Sequence, residues 1–218
     1  LLGVSDVGMS DDFFNLGGDS ISAMSLGTRL RTAGYDLRPK AIFAARQLGM
    51  MAGQMVPLQQ QQREKQEGII RPLPMWQWFE ETFSNTTSYV QSVLVEVESE
   101  TQLAHLQASL VQLVANHSVC RLVQKEQQYH IEALQNLDVK NWVESVSVER
   151  LDGPVLDGLF SQRSQSMSIS SGQLLRLVMI TERSGRKSLM ILAHHFLIDG
   201  VSWRILLPQL QALTQAQV

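Results

Sequence analysis

The stretch QQQQREKQEG, residues 59–68, is polar throughout and carries no aliphatic side chain, so it has nothing to bury. It reads as a linker between two folding units or as a solvated helix end, because Gln, Arg, Glu and Lys all favour helix. On either reading a boundary falls there. The expected division is residues 1–58, a linker over 59–70, and a larger unit over 71–218. No segment repeats at a fixed period, which removes solenoids and propellers.

The two sides of this boundary are patterned differently. Upstream, Ala23, Leu26, Leu30 and Ala33 form one helical stripe, with Asp19 as N-cap and Gly34 as the stop; Leu48, Met51 and Met55 mark another helix. Fewer than 60 residues in a few helices predict a small all-α bundle with a thin core. Downstream, YVQSVLVEV at 89–97 alternates Val93, Val95 and Val97 against Ser92, Leu94 and Glu96, as a strand does. A helix follows, with Leu103, Leu106, Leu110 and Leu113 on one stripe. QLLRLVMITER and SLMILA flank SGRK as two core strands of a hairpin. The larger unit is therefore read as mixed α/β. Pro208 falls where a helix is expected and predicts a kink or an early stop there. Trp76, Trp78 and Trp142 are read as packing residues.

Composition narrows the function. With 44% hydrophobic residues in 218, the chain can bury a core, and its net charge of −3 offers no basic excess for a phosphate backbone, so nucleic acid is not an expected partner. The single cysteine, Cys120, has no partner for a disulfide or a CxxC metal site. LLGVSDVGMS lacks the features of a signal peptide, and no apolar run approaches the roughly 18 residues that span a bilayer. The expected location is the cytoplasm, away from membranes.

Two segments carry chemistry. In DDFFNLGGDSI, residues 11–21, two glycines deliver Ser20 to the first turn of a helix, where free N–H groups favour a phosphate. Ser20 is either a phosphodiester carrier or simply part of the helix cap. No general base stands near it in sequence, so hydrolytic use is not expected. In HHFLIDGVSW, residues 194–203, the His194–His195 pair offers either an imidazole facing a cavity, suited to proton transfer, or two satisfied core histidines. Asp199 could orient a ring, cap the helix beginning near Gly200, or form an ion pair. The segment is not an HExxH pattern, and no metal is expected.

DDFFNLGGDSI, together with LRPKAIFAARQLGMMA, resembles the peptidyl carrier (thiolation) domain of non-ribosomal peptide synthetases over about residues 1–58. The resemblance implies 4′-phosphopantetheine carried covalently on Ser20, with Gly18 and Asp19 completing the attachment motif. It also implies a phosphopantetheinyl transferase and an upstream adenylation domain as partners. Asp19, where many carriers have His, is similar to the variant that precedes epimerisation domains. By that resemblance a longer first helix than LLG allows is expected of a carrier, so the chain is expected to start late.

HHFLIDGVSW resembles the HHxxxDG motif of the condensation superfamily, and LPMWQWFEE, QSVLVEV and GQLLRLVMI match further motifs of that superfamily in order. NHSVCR, residues 116–121, is a looser match that keeps His117 and Arg121 but has Ser118 at the acidic position, and His117 is read as structural. The resemblance implies a chloramphenicol-acetyltransferase-like α/β lobe bordering a tunnel for the pantetheine arm. It makes His195 the acid–base residue, His194 its structural neighbour, and Asp199 structural, paired with an arginine. VSW resembles the epimerisation branch. The implied function is L-to-D inversion at the α-carbon of a carrier-bound aminoacyl or peptidyl thioester, with a downstream condensation domain taking the product. The family's second acid–base group, a glutamate of the C-terminal lobe, has no match in these residues, so that lobe is expected to be absent. The alternatives are a peptide-bond-forming condensation domain and a non-catalytic docking platform for the carrier.

Overall fold

The structure, a computed structural model, describes residues 1–58, 67–83 and 89–217. The chain divides into two compact units, Leu1–Glu64 and Lys65–Val218. The polar stretch read as a linker spans this division, and its residues 59–66 lie outside the described residues.

The first unit contains α1 (Ser20–Thr32), β1 (Tyr35–Asp36), α2 (Pro39–Ala45), α3 (Leu48–Gly53) and β2 (Val56–Pro57). Phe13, Ala23, Leu37, Ile42, Ala45 and Met51 form its core. The all-α expectation needs correction, because β1 and β2 pair antiparallel, Tyr35 opposite Pro57 and Asp36 opposite Val56. Gly34, at φ +88°, turns the chain out of α1 into this ribbon. A pairing two residues long leaves no alternation to read. Met55 also falls beyond the end of α3, so the second predicted stripe covers a shorter helix.

The second unit runs β3 (Gly68–Ile70), α4 (Pro74–Thr82), β4 (Val90–Glu96), α5 (Leu103–Asn116), β5 (Leu122–Lys125), β6 (Gln128–Ile131), β7 (Val143–Val148), α6 (Gly153–Ser164), β8 (Leu175–Glu182), β9 (Lys187–His194) and α7 (Gly200–Gln215). The main sheet has the order β4-β9-β8-β7; a smaller one has the order β3-β6-β5. Gly68–Ile70, the end of the stretch read as linker, thus belongs to a sheet, with Ile70 paired to Tyr129.

The main sheet is covered on both faces, which explains the near-continuous apolar runs of β8 and β9. Leu175, Leu177 and Met179 face a core shared with Leu106, Leu110 and Leu113 of α5 and Leu206 and Leu210 of α7. Val178 and Ile180 face the other way, onto Leu156, Leu159 and Phe160 of α6. The predicted hairpin is β8–β9, antiparallel from Leu175 opposite Ala193 to Thr181 opposite Lys187. Pro208 neither stops nor ends α7, which continues through it. Pro208 and Arg204, whose carbonyl loses its helical donor, are both exposed, so the missing bond lies on the wet side of the helix. Among the described residues, no helix is long and apolar enough to cross a membrane. Cys120 is buried, and burial pushes its thiol up to about 12.

Candidate functional site

The attachment loop of the first unit is built by sterics and capping. Phe13 is held by its N–H donating to the Arg46 carbonyl at 2.8 Å, and Asp12 accepts from the N–H groups of Phe14 (2.8 Å) and Asn15 (3.1 Å). The Arg46 guanidinium pairs with Asp12 at 2.8 Å and holds its carboxyl below the usual carboxylate range. Gly17 lies at φ +93°, and Gly18 donates to the Phe13 carbonyl at 3.0 Å. A Cβ on Gly18 would lie 2.4 Å from the Phe13 ring and 2.6 Å from its carbonyl oxygen. Phe13 is buried and its carbonyl is backbone, so neither can step aside. Gly18→Ala is expected to destabilise this unit by about 1–3 kcal/mol, read as a lower melting temperature; an unchanged one would show that the loop relaxes freely.

The loop ends at Asp19, the N-cap of α1. Its carboxylate accepts the Ser22 N–H at 2.7 Å, while the Ser22 hydroxyl accepts the Asp19 N–H at 2.7 Å. Capping therefore falls to Asp19 and Ser22 and leaves Ser20 out of it. Ser20 is the first helical residue, exposed, and its hydroxyl makes no hydrogen bond among the described residues. A free hydroxyl at a helix start fits attachment of a phosphate-linked group.

In the second unit, β9 ends at His194, and residues 195–199 lead into α7. The two histidines have opposite environments, because the last residue of β9 points into the core and the next one leaves the strand. His194 is 1% exposed, and its Nδ1 accepts the Phe196 N–H at 3.2 Å, so that nitrogen carries no proton. His195 is half-buried, and its N–H donates to the Tyr89 carbonyl at 2.9 Å. Its Nδ1 stands 2.6 Å from the Ile198 carbonyl. A carbonyl can only accept, so Nδ1 bears the proton and the lone pair of the neutral ring lies on Nε2. The ring stacks on Tyr89 with centroids 4.7 Å apart and planes 16° from parallel.

His195 lines a cavity of about 460 Å³, together with Leu73, Trp76, Trp78, Phe79 and Tyr89. Trp78 is 53% exposed and lines this cavity, which corrects its reading as a packing residue; Trp76 and Trp142 are buried as expected. Trp76 donates its indole N–H to the Phe196 carbonyl at 3.2 Å, fixing the residue after His195.

Asp199 lines the cavity but is occupied as the N-cap of α7. It accepts from the N–H groups of Val201 (3.0 Å) and Ser202 (2.7 Å) and from the Ser202 hydroxyl (2.7 Å). These bonds, that of the Ser202 hydroxyl foremost, hold its carboxyl below the usual carboxylate range. The expected arginine partner is not what holds it; among the described residues no arginine pairs with Asp199. Asp199→Ala is expected to cost the unit about 1 kcal/mol at neutral pH, or about 2–4 °C in melting temperature. Because the folded carboxyl titrates below the unfolded one, that stabilisation is complete above the unfolded value and disappears as pH falls through the folded one. Wild type and variant should therefore converge in melting temperature in acid, and an equal gap at every pH would refute the cap assignment.

His117 bridges the end of α5 to α7, its Nε2 standing 2.5 Å from Gln209 Oε1, in keeping with a structural role. Arg121 is buried and donates to the Glu132 carbonyl at 2.5 Å. Sequence reasoning did not find Tyr89, the Ile198 carbonyl or the cavity wall at Trp78. Only the placement of Trp78 one position away from the buried Trp76–Phe79 stripe of α4 hinted at the last.

Residues 69–217, which hold this site, match the family model described as condensation domain. The chain belongs to that family. Residues 1–54 match the family described as phosphopantetheine attachment site, so a carrier domain with covalent 4′-phosphopantetheine precedes the condensation-family domain. The chain is 90% identical over 219 residues to vanchrobactin synthetase VabF of Vibrio anguillarum, covering 100% of this chain and 8% of that protein. It is 28% identical over 240 residues to tyrocidine synthase 2 of Brevibacillus parabrevis, covering 100% of this chain and 6% of that one. The chain thus spans under a tenth of either relative. The fold of the condensation-family domain is similar to the epimerization domain from the third module of tyrocidine synthetase B, TycB3(E). The TM-score is 0.60 at 21% identity, covering 69% of this chain and 35% of that one.

Proposed function

We propose that the carrier domain holds an aminoacyl or peptidyl thioester on the pantetheine arm at Ser20 and that the condensation-family domain epimerises it from L to D at the α-carbon. The observation that carries this reading is the protonation pattern of His195, whose Nδ1 is committed to the Ile198 carbonyl and whose Nε2 is left as a base in a ring that lines a cavity. A thioester acidifies its α-hydrogen, so a bare imidazole nitrogen facing the cavity is suited to remove it. Nε2 takes the proton, Ile198 holds the ring, and Tyr89 covers one ring face.

Inversion needs a second acid–base group on the opposite face of the carbon. Asp199, the one carboxylate among the described lining residues, is held ionised by its capping bonds and is unsuited to return a proton. We assign the second group to the synthetase outside these 218 residues. The identity to VabF supports membership of a non-ribosomal peptide synthetase. The sequence VSW after the Asp-Gly turn, and Asp19 before Ser20, favour epimerisation over condensation.

The condensation reading draws on the family match itself, and one experiment separates the two. The full synthetase is loaded in deuterated water, and the thioester is then cleaved and analysed. Deuterium at the α-carbon with both enantiomers present is the expected result. An L-configured, undeuterated thioester that forms a peptide when an acceptor-loaded carrier is supplied would overturn epimerisation in favour of condensation.

A further inference from the structure

The segment 195–199 has no regular structure, yet the tautomer of His195 depends on it, because the acceptor for Nδ1 is the carbonyl of Ile198. Tyr89, the residue before β4, and Gln91, within it, reach the segment's two ends. Tyr89 takes the His195 N–H on its carbonyl and stacks its ring on the imidazole. Two positions along, Gln91 Oε1 accepts the indole N–H of Trp203, in the first turn of α7, at 2.8 Å. Residues two apart along an extended stretch share a face, so one face of residues 89–91 meets both ends of the segment.

The two ends differ in how they are held. At the His195 end, β9 is paired with β4 in register, Val90 opposite His194, and the sheet fixes its position. At the α7 end, Asp199 caps the helix, and among the described residues its side-chain hydrogen bonds run to α7 itself and not to a strand. The Trp203–Gln91 bond joins that first turn to the strand on which Tyr89 enters. A hydrogen bond of 2.6 Å tolerates little movement, since beyond about 3.2 Å it is largely lost. If the first turn of α7 drifts by an ångström, Ile198 drifts with it. Nδ1 then loses its acceptor, and the proton is free to move to Nε2, where the base is needed.

Resting on the reading of His195 as the acid–base residue, we propose that Gln91, Trp203 and Tyr89 are positioning residues that act as one clamp from β4 and fix the tautomer of His195. Trp203 acts on the proton transfer through Ile198, at a distance from the reacting carbon.

The test reads the tautomer directly, in the 218-residue chain labelled with ¹⁵N-histidine, the His195 signals being assigned by their loss in His195→Ala. In the wild type at alkaline pH, Nδ1 is expected to show the shift of a protonated ring nitrogen and Nε2 that of a bare one. In Trp203→Phe and in Gln91→Met, which keep bulk and remove the bond, the two shifts should move toward one another. The double variant should be no worse than either single one, as for two ends of one interaction. Tyr89→Phe should keep the wild-type pattern and Tyr89→Ala lose it. In the full synthetase, Trp203→Phe should slow α-proton exchange about 10–100-fold with KM unchanged.

Unchanged ring shifts in folded Gln91→Met and Trp203→Phe would overturn the clamp. Should one variant fail to fold, the other carries the test. Normal α-proton exchange in His195→Ala would instead sink the assignment of His195 as the base, a separate result that leaves the ring shifts to decide the clamp.

Discussion

Ser20→Ala is expected to abolish phosphopantetheinylation while leaving the carrier domain folded. The two parts of that expectation have separate origins. Loss of modification follows because Ser20 is the hydroxyl that the GGDS turn presents, exposed and without a hydrogen bond of its own among the described residues. Preserved stability follows because the N-terminus of α1 is capped by Asp19 and Ser22, neither of which is touched. Alanine is also the best helix former, so its placement in the first turn costs nothing in propensity. Intact mass after incubation with coenzyme A and a phosphopantetheinyl transferase reads the first part, and thermal melting the second. Wild type should gain the mass of one phosphopantetheinyl group, and the variant none at an unchanged melting temperature. A variant that still gained the group would move the attachment site to another residue.

His195→Ala is expected to lower the rate of α-proton exchange in the full synthetase by about 10²–10⁴-fold, the range for losing a positioned acid–base group. The expected cost in stability is small. His195 is only half-buried, and its backbone N–H bond to Tyr89 survives the substitution. His194→Ala should behave in the opposite way. It empties a site that is 1% exposed and leaves the Phe196 N–H without its acceptor, so it should lower the melting temperature first and the rate as a consequence. Comparing the two at a temperature where both are folded distinguishes a chemical from a structural histidine. Equal rate losses with equal destabilisation would remove the distinction drawn between them.

Where periodicity is long, the fold was legible in the sequence. Leu103 to Leu113 announced α5, and the two apolar runs around SGRK announced β8 and β9. The β5–β6 hairpin was not legible, because its turn residues are Glu126 and Gln127, both at positive φ where Asn-Gly is the usual signal. The parallel pairing of β7 with β8 was likewise hidden, since it depends on the crossover of α6 rather than on any local pattern. At the site, the motif pointed to His195 and Asp199 and left open whether the aspartate orients a ring, caps the helix or forms an ion pair; the structure has it as the cap. That depends on Ser202, three residues on, placing both its N–H and its hydroxyl on one carboxylate oxygen. The Trp203–Gln91 bond joins residues 112 positions apart, and no spacing rule connects them.

The pairing of β4 with β9 brings Val90 against His194, residues more than a hundred positions apart. Contacts of such sequence separation form slowly, because a long loop must close before they contribute. The cavity around His195, lined from both sides of that pairing, cannot be complete until β9 has met β4. On a ribosome, residues 1–64 leave the exit well before β9 is made, and domains generally fold as units in that order. The carrier can thus be folded, with Ser20 exposed, before the strand that ends at His194 has been made.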